Sequence, residues 1–527
     1  MKREIPIVDM LVIVLMLVFL LSIIVGVNQT SSCVVPFIML GIYFATRLAF
    51  ISFPRMAPGI ILICVISVVC AETLTGYSQL FFKHGFLAYS LKGTFNHSAP
   101  FAGFLVTCIS ILLAASVLSE RTNLKKISQY VALFAFIIIP VTLSRAALLA
   151  LAITCTILFR DTIKKWILVK KRYLIVIPVL LLGVCVYFAK KTSADGRLYM
   201  DKISVRAMNS NSVLGAGLGN FEKAFGNEQT LYIENRLFDG NKGLDLNPKY
   251  ERERMLADCP TVAYNEYLQI GVEAGPIAMV LFIAILVISV IRAIRNKQIW
   301  GYGLLSFSIF AFFSYPFYRW EFQILIPVIA ALCAPTGLFN ARPKAIGITY
   351  FLLCVFSVTM VAFSIPDVRQ QKQMAKEWED IRPLYENDHI GIAIGKFETI
   401  TNIEDYPTAC LYAYGHSLNQ MGEYEKSDSI LKIGAERSSD PMFWNIMGKN
   451  SMELGKYDEA EERYMHAFHM IPNRLYPLCL LAKLYEAEGD TARFLNMAEK
   501  VESFVPKVES IKTERMRAEI KELKSHF

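Results

Sequence analysis

The sequence predicts an all-α protein in two parts, a polytopic bundle of about eleven membrane-crossing helices followed by an α-solenoid of short paired helices. Three observations predict it. Apolar residues make up 54% of the 527 and the mean hydropathy is +0.40, too oily for a water-soluble chain of this length. They gather, up to about residue 365, in runs of roughly 17 to 25, enough for a helix to cross a hydrocarbon core about 30 Å thick. Beyond that point the runs stop, and small and large residues recur at helix–turn–helix intervals.

The candidate spans are about 8–26, 34–52, 58–75, 99–118, 127–143, 145–159, 173–189, 264–291, 300–317, 322–340 and 345–364. The first reads as a retained span, because no small-residue cleavage site follows it. The net charge of +8 does not point to nucleic acid, since most of the excess lies in short loops that orient a membrane protein. With the N-terminus in the cytoplasm, Lys2, Arg3, Arg47, Arg55, Arg121, Lys125, Lys126, the cluster from Arg160 to Arg172, Arg292, Arg295, Lys297, Arg342 and Lys344 fall on that side. The opposite short loops carry only Lys83, Lys92, Arg145 and Arg319. An odd number of spans then places everything after residue 365 outside the cytoplasm, together with a long loop at about 190–262. Cys33, Cys259, Cys410 and Cys479 face that side, and nothing in the sequence pairs them. No His/Cys pattern has metal-ligand spacing, and no cofactor or metal is expected.

The predicted domains are 1–365 (transmembrane), 366–404 (linker or helical), 405–505 (repeats) and 506–527 (a C-terminal helix). Trp444, Met447, Gly448, Gly455, Tyr457, Ala460, Tyr464, Ala467 and Pro472 occupy the small and large positions of a 34-residue helix–turn–helix repeat. Gly422, Tyr424, Ser427 and Leu431 precede them with a one-residue slip, and Gly489, Thr491, Phe494 and Ala498 follow. This pattern resembles the tetratricopeptide family. The resemblance implies about three repeats, near the minimum for a stacked solenoid, that bind a protein partner in a groove or shield the membrane part.

Three segments ahead of the repeats can carry chemistry. Arg145 sits in Thr142-Leu143-Ser144-Arg145, where the chain turns between two apolar runs; burying an unpaired guanidinium at that depth costs several kcal/mol, so it faces a cavity, an anion or the interface. In the long loop, Gly196-Arg197 precedes Leu214-Gly215-Ala216-Gly217-Leu218-Gly219-Asn220, backbone that turns tightly and either offers N–H groups to an anion or is a plain turn. The eighth span opens Tyr264-Asn265-Glu266-Tyr267. There, Asn265, Gln269 and Glu273 fall at helical spacing with Glu266 seven residues before Glu273, a polar stripe lining a cavity or bonding a neighbouring helix.

Taken in order, these segments, with Ser314-Tyr315-Pro316-Phe317 and the upstream Gly93-Thr94-Phe95-Asn96-His97, are similar to the O-antigen ligase and polymerase superfamily over about 90–330. The resemblance implies a metal-independent glycosyltransferase in the bacterial inner membrane. It would move glycan from an undecaprenyl-pyrophosphate donor to a glycan or protein acceptor, with the repeats on the periplasmic side. Arg145 and Arg197 match the family's arginines, which suit pyrophosphate because guanidinium binds phosphate oxygens bidentately at any pH; Arg206, Arg252, Arg254 and Arg319 are reserves. Glu266 and Tyr264 join Arg145 and Arg197 as catalytic candidates, and Gly217, Asn220, Asn265, Glu273, Arg319 and His97 are substrate-binding candidates. One departure stands out. The family's ligases carry His where this chain has Tyr264, and a phenol is a poor base at neutral pH. Glu266, Glu273 or His97 is left to take the acceptor's proton. A non-catalytic envelope scaffold and a membrane transporter are the alternatives. Ligase, polymerase and protein oligosaccharyltransferase share these motifs.

Overall fold

The computed structural model describes residues 7–25, 30–83, 91–167, 191–238, 247–334 and 343–526. Among them there are helices and turns, with no strand beyond an isolated bridge between Ser212 and Gly215. The helices of the first half are α1 (Ile7–Val25), α2 (Thr30–Ser52), α3 (Ala57–Ser78), α4 (Ser98–Leu118), α5 (Thr122–Phe136), α6 (Arg145–Leu158) and α7 (Arg160–Ile167). There follow α8 (Lys191–Ser210), α9 (Phe221–Leu237), α10 (Glu251–Leu256), α11 (Glu266–Arg295), α12 (Trp300–Ala311), α13 (Trp320–Cys333) and α14 (Pro343–Glu386). The remainder are α15 (Ile390–Phe397), α16 (Thr408–Gln420), α17 (Tyr424–Arg437), α18 (Met442–Glu453), α19 (Tyr457–Met470), α20 (Tyr476–Glu488), α21 (Thr491–Ser503) and α22 (Ile511–Lys524).

Seven of these helices, α1 to α5, α11 and α14, are long and apolar enough to cross a membrane; α6, α12 and α13 are apolar but shorter. The expected span at 173–189 lies outside the described residues.

The chain divides into two compact units. The first comprises 1–194, 211–219 and 262–364; the second comprises 195–210, 220–261 and 365–527. The segment at 190–262, read from the sequence as a loop of the transmembrane domain, therefore folds largely with the C-terminal helices, while its glycine-rich stretch stays in the first unit.

In the first unit α4 is the hub. Every residue from Pro100 to Leu112 is buried, as expected of a helix that is apolar on all faces. Small residues admit large neighbours. A Cβ on Gly103 would meet the Phe310 ring, and one on Gly303 would meet Ile111, so α4 and α12 pack closely through glycine on both sides.

This unit also holds a buried ion pair that the sequence reading did not anticipate. Arg47, counted from the sequence among the charges of the cytoplasmic side, is fully buried in α2, with Nη2 2.8 Å from Asp9 Oδ2. Its Nη1 donates to the carbonyls of Ala331 and Ala334, while the hydroxyls of Tyr43 and Tyr350 donate to Asp9. Four helices, α1, α2, α13 and α14, are thus joined through one carboxylate and one guanidinium. Such charges stay buried only when paired and hydrogen-bonded.

The second unit is built from helix pairs: α16 with α17, α18 with α19, and α20 with α21. The first two pairs close by setting a small residue against a large one. A Cβ on Gly415 would strike Leu431, and one on Gly448 would strike Tyr464. Between pairs, Gly434 receives the Phe443 ring in the same way. Helices α8, α9 and α10 belong to this body, held by hydrogen bonds described below.

Candidate functional site

The best-connected group of predicted residues surrounds the start of α11. Asn265 does not belong to the helix. Its backbone is extended (φ −149°) and its side chain caps the helix, accepting from Tyr267 N at 3.2 Å and Leu268 N at 3.3 Å. The expected stripe of Asn265, Gln269 and Glu273 is therefore corrected. Capping removes Asn265 from it, and what remains is a relay in which Gln269 Nε2 donates to Glu273 Oε1 at 2.7 Å and Gln269 Oε1 accepts from Ala263 N at 2.8 Å. Tyr264, one residue before the cap, adopts a left-handed backbone (φ 51°). Its ring meets that of Tyr315 edge-on at 5.0 Å. A bulky residue at positive φ is uncommon and marks a position held by its surroundings.

Glu266 is buried, 5% exposed, and its Oε2 accepts the backbone N–H of Phe317 at 3.1 Å. That bond ties α11 to the segment 312–319, which ends in Arg319. Arg319 is itself largely buried. Its Nη2 lies 3.2 Å from Glu321 Oε1, and its guanidinium carbon lies 5.5 Å from the centre of the Phe95 ring. Phe95 belongs to the turn that leads into α4, where Glu72 accepts from both Thr94 N (3.1 Å) and Thr94 Oγ1 (2.6 Å). Gln79 Oε1 accepts from Gly93 N at 2.8 Å. His97 closes this turn, exposed, immediately before α4. Glu266, Arg319 and the His97 turn thus form one connected group, with Glu72 and Glu321 as carboxylates that sequence reasoning missed. Glu72 was detectable, because a carboxylate inside an apolar run is a signal in itself.

The glycine-rich stretch docks on a break in α11. Gly275 has φ 90° and ψ 164°, and Pro276 follows it. Proline has no N–H to offer the carbonyl four residues back, and the turn at Gly275 releases the next one. The loop fills both vacancies: Ala216 N donates to Val272 O at 2.8 Å and Gly217 N to Glu273 O at 3.0 Å. These two amides, read from the sequence as either donors for an anion or part of a plain turn, are engaged within the protein. Gly215 (φ 83°) and Gly275 are irreplaceable at this contact, since a Cβ on the first would meet the Glu273 carbonyl and on the second the Val213 carbonyl.

Arg145 is the first residue of α6, half-buried, after a turn in which Leu143 takes φ 51°. Its helix packs against α4 and α12. A guanidinium in the first turn adds to the positive end of the helix dipole, an arrangement suited to an anion.

Arg197 and Asn220 lie in the second unit. Arg197 is half-buried on α8, and Asn220 precedes α9. The reserve arginines of this unit prove to have structural partners. Arg252 Nη2 lies 2.6 Å from Asp195 and Arg206 Nε lies 2.8 Å from Glu228. Arg254, 3% exposed, is bonded to Glu251 and to the carbonyls of Pro472 and Val505. Beside them Lys202 Nζ bonds Tyr232 Oη at 2.6 Å and Glu253 at 2.9 Å. Burial alone would make this ammonium easier to deprotonate, but those two bonds hold it above the ordinary lysine range. Among the described residues no group of three or more His, Cys, Asp or Glu side chains could hold a metal ion.

Compared with known families, residues 130–283 match the family model described as O-antigen ligase. The match covers Arg145, Arg197, Gly217, Asn220, Tyr264, Asn265, Glu266 and Glu273; it stops short of His97 and Arg319. It supports an O-antigen ligase-like domain in a chain whose apolar helices suit a multi-pass membrane protein. No curated protein gives a significant match.

Proposed function

We propose that this chain is a membrane glycosyltransferase of the O-antigen ligase and polymerase type, moving glycan from an undecaprenyl-pyrophosphate donor to a glycan or protein hydroxyl. The observation that carries this is Arg145, a half-buried guanidinium at the head of an otherwise apolar helix, inside the matched segment. A guanidinium binds phosphate oxygens bidentately and stays charged at any relevant pH, which suits a lipid pyrophosphate, the anion a membrane transferase handles.

In the reaction, the acceptor oxygen forms a bond to the anomeric carbon as the bond from that carbon to the pyrophosphate oxygen breaks. The lipid pyrophosphate leaves with the electron pair; Arg145 is the first candidate to offset its charge, and Arg197, carried by the second unit, is a separate candidate for that role. The acceptor's proton passes to a carboxylate. Glu266 is the favoured acceptor of that proton, because it is buried, follows by two residues Tyr264, which stands where the family's ligases carry His, and is held in place by Phe317 N. Arg319 and His97, connected through the Phe95 turn, line the acceptor side.

The N-terminus is assigned to the cytoplasm and the second unit to the far side of the inner membrane. The pairs α16–α17, α18–α19 and α20–α21 are read as tetratricopeptide-type repeats that recruit a protein partner or acceptor. The test is complementation of a deletion strain with wild type and Arg197→Ala, with surface polysaccharide, lipopolysaccharide and glycoprotein profiles compared. Loss of one glycan in a variant that still reaches the membrane supports a transferase and identifies its acceptor. Unchanged profiles in the deletion itself reject the assignment and leave a scaffold or a transporter.

A further inference from the structure

We infer that Arg254 and Asn473 are positioning residues for Arg197, so that the C-terminal helices set the geometry of the arginine carried by α8. The inference rests on the transferase reading of Arg197.

The short helix α10 is the connection. Its consecutive side chains face different partners, as a helical twist of about 100° per residue requires. Arg252 Nη2 holds Asp195 at 2.6 Å, one turn of α8 that includes Arg197. Glu253 holds the middle of the same helix, accepting from Lys202 at 2.9 Å and also from Tyr232 of α9. Arg254 is directed to the C-terminal helices. Its Nη1 donates to the Pro472 carbonyl at 3.1 Å and its Nη2 to the Val505 carbonyl at 2.8 Å. Asn473 completes the clasp, its Nδ2 donating to the carbonyls of Arg254 (3.0 Å) and Ala257 (2.7 Å). Gln229 of α9 adds bonds to the carbonyls of Asp258 at 2.9 Å and Met470 at 3.0 Å.

These bonds distinguish a clasp from ordinary packing. Arg254 and Asn473 are 3% and 4% exposed; Arg254 is braced by the Glu251 carboxylate and donates to the Pro472 and Val505 carbonyls, and Asn473 donates to the carbonyls of Arg254 and Ala257. The contact therefore depends on these two side chains and on the placement of the segments 472–473 and 505 whose backbone they meet. The Asp195 pair and the Arg254 bonds stem from neighbouring residues of one short helix. A shift at 472–473 is transmitted through about one helical turn to the turn carrying Arg197.

The experiment uses the full-length chain in membranes, with hydrogen exchange read on peptides covering 195–210 and 442–488 and transfer kinetics measured in parallel. Asn473→Asp keeps the size of the side chain and removes its donors; Arg254→Lys keeps one donor. The expected result in Asn473→Asp is at least tenfold faster exchange across 195–210 with 442–488 unchanged. With it comes a fall of about tenfold in kcat with KM for the acceptor within twofold, and a smaller loss in Arg254→Lys. Unchanged exchange across 195–210 overturns the inference. Equal loss of protection in both regions also overturns it, since the residues would then only stabilise the fold. If Arg197→Ala keeps full activity, the inference fails because the transferase reading of Arg197 has failed. If Arg197→Ala is inactive and Asn473→Asp is fully active, the positioning role alone fails.

Discussion

Glu266 Oε2 accepts the backbone N–H of Phe317 at 3.1 Å, and both residues belong to the segments that carry the best-connected candidate residues. On the proposed mechanism, a carboxylate in this place has two separable duties. Glu266→Gln retains an oxygen that can accept from Phe317, so the melting temperature in detergent stays close to wild type while transfer falls at least tenfold. Glu266→Ala leaves the N–H buried without a partner, a loss of about 1–3 kcal/mol, and lowers the melting temperature as well. Equal activity in wild type and Glu266→Gln would remove Glu266 as the proton acceptor.

Gly275 allows the break at which the glycine-rich stretch docks. Its φ of 90° and the nearby Val213 carbonyl make Gly275→Ala strained on two counts. A left-handed L-residue alone costs about 1–2 kcal/mol, so the variant is expected to lose that much or more and to give a low folded yield in gel filtration. Gly391→Ala is the control. Nothing lies within 4 Å of a Cβ there, and alanine inside a helix gains about 0.5–1 kcal/mol.

Asp9 and Arg47 behave as a unit. Asp9→Leu leaves a guanidinium buried without its carboxylate, a loss of about 3–5 kcal/mol, while the double variant Asp9→Leu/Arg47→Met recovers most of it. A double-mutant cycle on thermal unfolding reads the coupling directly; additive losses would mean that the pair does not join these helices.

His416 is expected to make the helix pairs sensitive to pH. It lies 3.0 Å from the Tyr385 hydroxyl and stacks 5.8 Å from the Tyr412 ring. Burial, then the Lys449 charge, hold its imidazole below the ordinary range, with Asp388 opposing. A histidine harder to protonate when folded contributes stability that is fully present above its unfolded pKa of about 6.5 and is lost as pH falls toward the folded value. Unfolding of the full chain is expected to begin a few degrees lower at pH 5.5 than at pH 7.5. His416→Gln should flatten that dependence, and an unchanged pH profile in the variant would assign it to other groups.

The helical class and the apolar spans were legible because hydrophobic run length is a local property. The Asn265-Glu266 motif was legible too, though its geometry was not, since a capping asparagine and a helical asparagine share the same spacing to Gln269. What escaped was long-range. Arg254 read as a spare cation because its partners, Pro472 and Val505, lie more than two hundred residues away. Arg47 read only as an orienting charge because Asp9 and Tyr350 reach it only after folding. The break at Gly275 had a visible sign in Pro276, but nothing local showed that Ala216 and Gly217 would fill it.

The most direct test uses the purified full-length chain in proteoliposomes loaded with undecaprenyl-pyrophosphate-linked glycan, with native membranes supplying acceptors and release of undecaprenyl pyrophosphate as the readout. Wild type is expected to release it. Arg145→Ala should be slower by about a hundredfold, the scale of removing one transition-state charge contact, and Arg145→Lys intermediate. Release at the wild-type rate by Arg145→Ala, or none by wild type, would contradict a glycan transferase built around that arginine.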